Sequence, residues 1–174
     1  MTEKSTIICE AVYSEDKSHR FIWKRVWDSK KPVLCVITLN PNSDNVFELD
    51  LTSMLVTNNT YRLGNYGGVI VVNLFSCITD RLRKDDFDEE NSIAEENIKY
   101  IKKAAKEAES VVIAWGKSAN SNKFIKDKVS AIMGELEQFK NKLCYITDCN
   151  GETGLHPLTP SVRKGWELVS IAEE

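Results

Sequence analysis

The chain has 174 residues, of which 42% are hydrophobic and 28% are charged, and its formal net charge is −3 at pH 7. This length and composition predict a globular protein with a real core, and they exclude disordered and fibrous classes. No apolar run is long enough to span a membrane, and the start lacks the features of a signal peptide, so we expect a cytoplasmic protein. Many nucleic-acid-binding proteins carry a basic excess that this chain lacks. Any contact with DNA must therefore come from local basic patches.

The first predicted element is an N-terminal hairpin, or a pair of edge strands, within about residues 6–27. Two segments, Thr6–Tyr13 and Arg20–Trp27, flank a polar turn at Ser14–Ser18. The remaining core, residues 33–172, contains no linker, repeat or low-complexity stretch that would divide it. We therefore predict one domain over residues 1–174.

Four apolar runs in the core predict buried strands. They are continuously apolar and rich in β-branched residues, which is typical of strands covered on both faces. The runs are Val33–Leu39, Val69–Phe75, Ser110–Trp115 and Leu143–Thr147.

Helical patterns lie between and after these strands. The clearest has Ser92 and Glu95 as a candidate capping box, followed by an apolar stripe. The alternation of strands and helices predicts an α/β fold, a three-layer sandwich with a mostly parallel central sheet. The predicted helices are Leu49–Leu63, Ser92–Ala108, Asn122–Phe139 and a closing helix at Ser161–Ala172.

Polar and aromatic residues collect where the four predicted strands end. In open α/β sheets, ligands bind in the crevice beyond the carboxyl ends of the strands. One such cluster would mean little, but four in one chain favour a binding site. The candidate site residues are Asn40, Pro41, Asn73, Phe75, Trp115, Lys117 and His156.

Each candidate also has a structural interpretation. Asn40 before a proline is typical of a simple turn, Phe75 alone is typical of a core, and His156 can cap a loop. Asn73 is harder to explain in this way, because a buried carboxamide needs partners for both its N–H and its C=O groups. The binding-site hypothesis therefore depends on the clusters taken together.

Four short motifs contain most of the candidate residues: Leu39–Asn42, Gly68–Asn73, Val111–Gly116 with Ala119, and His156–Ser161. In their order along the chain, these motifs resemble those of the uracil-DNA glycosylase superfamily. The asparagine–proline form of the first motif is similar to the mismatch-specific and thymine-DNA glycosylase branch. More closely, the order LNP, YGG-VVNLF, AWG and HPL resembles a bacterial and phage family catalogued as domain of unknown function 1643, from about Tyr13 to about Pro160.

The superfamily resemblance implies a uracil-DNA-glycosylase-like fold and specific roles for the candidate residues. Asn73 would read the edge of an extruded base, while His156 would donate a hydrogen bond to the departing base. Asn40 would orient the attacking water without taking its proton. The stacking aromatic stays open among Phe47, Tyr61 and Phe75, and contacts with DNA would come chiefly from Arg163 and Lys164, with Arg81, Arg83 and Lys84 as helpers.

The chain departs from the superfamily pattern at three positions. Thr38 replaces a glycine, Asn40 stands where many glycosylases have aspartate, and Leu158 replaces a serine. The second change removes a strong general base, so the chemistry would be slow and driven by the leaving group. The third removes an expected phosphate contact.

Two functional hypotheses follow. The first is a glycosylase-like enzyme that hydrolyses the N-glycosidic bond of a base in DNA or in a nucleotide. The alternative is a non-catalytic module that keeps the pocket and binds a nucleotide, a nucleic acid or a protein. No sequence motif supports a third possibility, an unrelated hydrolase. The five cysteines form no zinc-binding pattern, so we expect neither a metal nor a cofactor.

Overall fold

The computed structural model describes residues 1–117 and 123–171, and for residues 84–92 it describes the backbone alone. The described residues form one seven-stranded sheet and three α-helices. The helices are α1 (Leu51–Arg62), α2 (Lys84–Glu107) and α3 (Lys123–Leu136). The strands are β1 (Ile8–Tyr13), β2 (Arg20–Val26), β3 (Val33–Thr38), β4 (Gly68–Asn73), β5 (Ser110–Ile113), β6 (Leu143–Thr147) and β7 (Glu167–Ser170).

The sheet is mixed, with the order β1-β2-β4-β3-β5-β6-β7. Its four middle strands, β4, β3, β5 and β6, come from the four apolar runs and are parallel neighbours. The pairs β1–β2, β2–β4 and β6–β7 are antiparallel, so the prediction of a mostly parallel sheet is wrong. The pair β1–β2 is the predicted N-terminal hairpin, but the apolar patterns of the middle strands cannot reveal that this hairpin and β7 join the same sheet.

Helices cover both faces of the sheet. Because side chains alternate along a strand, Cys35 and Ile37 pack towards α2 and α3, while Leu34 and Val36 pack towards α1. The second face is completed by the C-terminal segment, which contributes Trp166 to the core. None of the helices in the described ranges combines the length and the apolar character that crossing a membrane requires.

The predicted closing helix at Ser161–Ala172 is wrong. A short 3₁₀ helix at Pro160–Val162 is followed by β7, which pairs with the edge of β6. Trp166 and Leu168 both pack on the α1 face of the sheet, and this spacing of two residues is the period of a strand. Ala172, the last residue of that prediction, lies outside the described residues.

The helix predicted to begin at Ser92 begins eight residues earlier, at Lys84, so Ser92 and Glu95 do not form its cap. The apolar stripe marks only the part of a helix that packs on the sheet, and the helix can extend beyond it. The prediction at Leu49–Leu63 is confirmed by α1. Asn122, the predicted start of the next helix, and Ala119 lie outside the described residues.

Candidate functional site

A cavity of about 270 Å³ opens where β3 and β5 end, on the α1 face of the sheet. Its volume lies just below the range of about 300–1,000 Å³ that is usual for ligand pockets. A small ligand or one part of a larger ligand would fill it. Its polar lining consists of Arg20, Thr38, Asn40, Asn42, Asp50, Thr52, Ser53, Asp80 and His156, and its apolar lining of Leu39, Val56, Val71, Trp115 and Leu158.

The structure thus brings Asn40, Trp115 and His156 together around one cavity. Asn40 and Trp115 each lie two residues beyond their strands, β3 and β5, and His156 reaches the cavity from the loop that follows β6. Parallel strands end at the same edge of a sheet, and this is why residues far apart in the chain converge here.

The side-chain amide of Asn40 has a defined orientation. Its Nδ2 donates to the backbone oxygen of Thr79 at 2.6 Å and lies 3.3 Å from that of Pro41. Because carbonyl oxygens can only accept, the nitrogen must face them, and Asn40 Oδ1 is left as an acceptor without a donor among the described residues. Such an oxygen can hold a water molecule but cannot remove its proton.

His156 is held as a neutral imidazole with a defined tautomer. The backbone N–H of Leu158 donates to its Nδ1 at 3.1 Å, so the ring proton is on Nε2. Burial lowers the pKa of His156, although the carboxylate of Asp50 acts in the opposite direction. The cavity is therefore lined by a neutral histidine whose Nε2–H group has no acceptor among the described residues.

Because the pKa of His156 is lowered in the folded state, folding should become less favourable as the pH falls below 6.5. In that range the unfolded chain binds a proton at this residue before the folded chain does. Urea unfolding of the wild type and of His156→Gln, measured from pH 8 to pH 5, tests this expectation. The stability difference between the two proteins should change with pH below 6.5, and a constant difference would contradict the assignment.

A close backbone approach fixes the position of His156. Gly116 has φ +70°, and a Cβ atom at this residue would lie 2.7 Å from the Cβ of His156. The loop before His156 is stabilised by Asp148, whose Oδ1 accepts from the N–H groups of Asn150 and Glu152 at 2.9 and 3.1 Å. A hydrogen bond from Ser161, together with these bonds, lowers the pKa of Asp148. The loop is thus positioned by close packing against the residues that follow β5 and by hydrogen bonds within the loop.

Asn73 lies behind the cavity wall and does not line it. It is the cross-strand neighbour of Thr38, and its Nδ2 donates to Thr38 Oγ1 at 2.6 Å. Its side chain is 1% exposed, and its Oδ1 has no partner among the described residues. In this arrangement Asn73 orients Thr38, which does line the cavity.

The three aromatic candidates for stacking lie elsewhere. Phe75 is fully buried and stacks on Phe124, with ring centroids 5.9 Å apart. Tyr61 is exposed and packs edge-on against Trp27, beside a different surface cavity. Phe47 is also exposed. The aromatic ring that lines the described cavity is that of Trp115.

The remaining predicted residues surround the site. Pro41 is buried, and its oxygen accepts from the N–H of Thr79 at 3.1 Å. Lys117 forms an ion pair with Glu152, which raises the pKa of the lysine, and it lines a shallow neighbouring cavity with His156. Arg163 donates from Nε to the oxygen of Leu158 at 2.7 Å and so supports the histidine loop, and Lys164 is exposed.

Sequence analysis missed Arg20, Asp50 and Asp80. Arg20 opens β2, which is antiparallel to β4, so the start of β2 meets the carboxyl end of β4. Asp50 is the N-cap of α1 and accepts from the backbone N–H of Ser53 at 2.6 Å; an aspartate near the start of the predicted helix could have indicated this position. No group of three or more metal-ligating side chains occurs in the described parts of the chain.

Comparison with known proteins adds a family but no activity. The family model described as "Protein of unknown function (DUF1643)" matches residues 20–158. No curated protein and no solved structure matches the chain. The matched segment begins at Arg20 and ends at Leu158, so it contains every residue that lines the cavity.

Proposed function

The chain belongs to the DUF1643 family of proteins of unknown function, and from this premise we propose that its cavity binds a nucleobase and hydrolyses the bond between that base and its sugar. The substrate would be a nucleotide or a base extruded from DNA. The proposal includes a uracil-DNA-glycosylase-like arrangement of the four middle strands, in agreement with the motif order of the chain. A glycosylase-like hydrolase is the reaction class that the lining residues support best.

The observation that carries the proposal is the Nε2–H group of His156. A departing base gathers negative charge on its ring oxygen or nitrogen as the glycosidic bond breaks. A neutral donor fixed in the cavity wall stabilises that charge without being reoriented during the reaction. The hydrogen bond from Leu158 to Nδ1 fixes the required tautomer, and burial keeps the ring neutral.

The other lining groups supply the remaining steps. Asn40 Oδ1 orients a water molecule, whose oxygen attacks the sugar carbon as the base leaves with the bonding electrons. Asn40 cannot take the proton that this water releases, but the carboxylates of Asp50 and Asp80 line the same cavity and can accept it. Trp115 offers the aromatic surface against which a base can pack.

The position of Asn73 favours the alternative, a non-catalytic binding module. With Asn73 bonded to Thr38 behind the wall, no buried carboxamide reads the base edge in this conformation. A module of this kind would bind a nucleotide, a nucleic acid or a protein in the same cavity and release no product. Binding without turnover is the result that this alternative predicts.

Release of a free base is the decisive measurement. We expect the wild type to release base slowly from at least one nucleotide or oligonucleotide that contains a damaged or modified base, measured by chromatography. His156→Ala removes one pre-organised donor and should slow release by about 10²–10³-fold. Lys164 is exposed and does not line the cavity, so Lys164→Ala should reduce only the reaction on oligonucleotides.

Substrates should include single-stranded and duplex oligonucleotides, free nucleotides and nucleosides. Binding of one of these ligands without any released base would contradict the enzyme and favour the binding module. Binding of none of them would leave a protein partner as the better account.

A further inference from the structure

The guanidinium group of Arg20 is a buried positive charge that forms no ion pair among the described residues. The residue is 3% exposed, and burial lowers its pKa, while Asp50 and Tyr13 act in the opposite direction. Its Nη1 donates to the backbone oxygen of Ser43 at 3.1 Å. Among the described residues, Nε has no acceptor, and no carboxylate lies within ion-pairing distance of the group.

A buried charge of this kind is costly unless something compensates it. Desolvating an unpaired ion costs several kcal/mol, and buried arginines are therefore usually paired with a carboxylate. Arg20 instead lines the cavity; its buried Nε has no acceptor, its Nη1 is bonded to Ser43, and its Nη2 has no acceptor among the described residues. Its planar guanidinium group suits an oxyanion, to which it can donate two parallel hydrogen bonds.

The start of α1 is a second, independent feature that attracts an anion to the same place. Asp50, Thr52 and Ser53 line the cavity, so the positive end of this twelve-residue helix faces it. The carboxylate of Asp50 occupies one first-turn N–H group, that of Ser53. The N–H groups of Leu51 and Thr52 have no acceptor among the described residues.

We propose that Arg20 and the first turn of α1 form an oxyanion subsite within the cavity. Its ligand carries a phosphate or carboxylate group, which pairs with the guanidinium group and the free N–H groups of the turn. This inference rests on the proposed function in one respect: if the ligand carries a base, it is a nucleoside phosphate and not an uncharged nucleoside. The negative charge of Asp50 beside the subsite opposes the ligand and limits its affinity.

Calorimetric titration of the wild type tests the subsite directly. The probes are inorganic phosphate, acetate, and nucleoside 5′-monophosphates, each compared with its own nucleoside. We expect the monophosphates to bind about 10- to 100-fold more tightly than the nucleosides, because charge-assisted hydrogen bonds are among the strongest in proteins. Phosphate and acetate separate a phosphate ligand from a carboxylate ligand.

Three variants assign the effect to these residues. Arg20→Met should abolish the preference for the monophosphate and leave the nucleoside affinity within about 2-fold, whereas Arg20→Lys keeps a charge and should retain part of the preference. Asp50→Asn keeps an acceptor for Ser53 but removes a negative charge, so monophosphate affinity should rise several-fold. Arg20→Lys and Asp50→Asn keep the test decisive even if Arg20→Met does not fold.

Thermal unfolding of Arg20→Met without ligand separates a binding role from a structural one. A subsite arginine leaves the melting temperature unchanged or raises it, because an uncompensated buried charge is removed. A large decrease, together with monophosphate binding unchanged in Arg20→Lys and Asp50→Asn, would overturn the proposal.

The outcomes also separate this inference from the proposed function. Equal binding or cleavage of nucleosides and their monophosphates would overturn the oxyanion subsite and leave the base-releasing activity intact. Phosphate binding that requires Arg20, without binding or cleavage of any base-containing ligand, would support the subsite and overturn the proposed function.

Discussion

Gly116→Ala is expected to lower the free energy of unfolding by about 2–5 kcal/mol and to displace His156 from the cavity. The left-handed backbone conformation costs a residue with a Cβ about 1–2 kcal/mol. Insertion of that atom 2.7 Å from the Cβ of His156 adds about 1–3 kcal/mol of overpacking. Urea unfolding measures the combined effect, and ligand binding or base release reports the displacement of the histidine.

Two other glycines serve as matched controls. Gly154 also has a positive φ, of +67°, but a Cβ there would meet no atom within 4 Å, so Gly154→Ala isolates the backbone cost of about 1–2 kcal/mol. Gly134 lies inside α3 with open space around it, and alanine should stabilise the helix by about 1 kcal/mol.

The comparison among these three variants decides the role of Gly116. A loss of stability no greater than that of Gly154→Ala would show that the loop with His156 moves aside without cost. In that case the position of His156 would not depend on the end of β5, and its preorganised donor would lose its structural basis.

The middle strands of the sheet could be predicted from the sequence because the apolar pattern that indicates each strand lies within that strand. A run such as Val69–Phe75 is apolar on both faces, and only a strand covered on both sides accommodates that pattern. The C-terminal strand β7 could not be predicted in this way. Residues 161–172 contain no strong pattern of either period, and β7 exists because the edge of β6 is available for pairing, a tertiary effect.

The cavity residues that follow parallel strands could be predicted from the sequence. The residue that reaches the cavity through antiparallel strand pairing could not. Asn40 and Trp115 follow parallel strands, so the general rule for α/β sheets locates them. Arg20 stands at the start of a strand, and only its antiparallel pairing with β4 brings it to the same edge. The hydrogen-bond partner of Asn73 could not be predicted either. Thr38 lies beside it because of the register between β3 and β4, and the sequence of one strand alone does not determine that register.

Phe75→Ala is expected to lower the free energy of unfolding by about 3–5 kcal/mol while leaving the affinity for ligands nearly unchanged in the folded protein. The ring is fully buried in the core between the sheet and the helices α2 and α3, and it stacks on Phe124. Lys128 places its ammonium group 5.9 Å from the centre of the Phe75 ring, so truncation removes a cation–π contact as well.

Phe75→Leu and Tyr61→Ala are the controls for this measurement. Leucine keeps most of the apolar volume and should lose clearly less stability than alanine. Tyr61 is 67% exposed, so its truncation should cost no more than about 1 kcal/mol. If Phe75 instead stacked on a bound base, Phe75→Ala would weaken binding by about 1–3 kcal/mol. Weakened binding together with an almost unchanged urea midpoint would therefore assign the ring to the ligand, and the core would have to open for the base to enter.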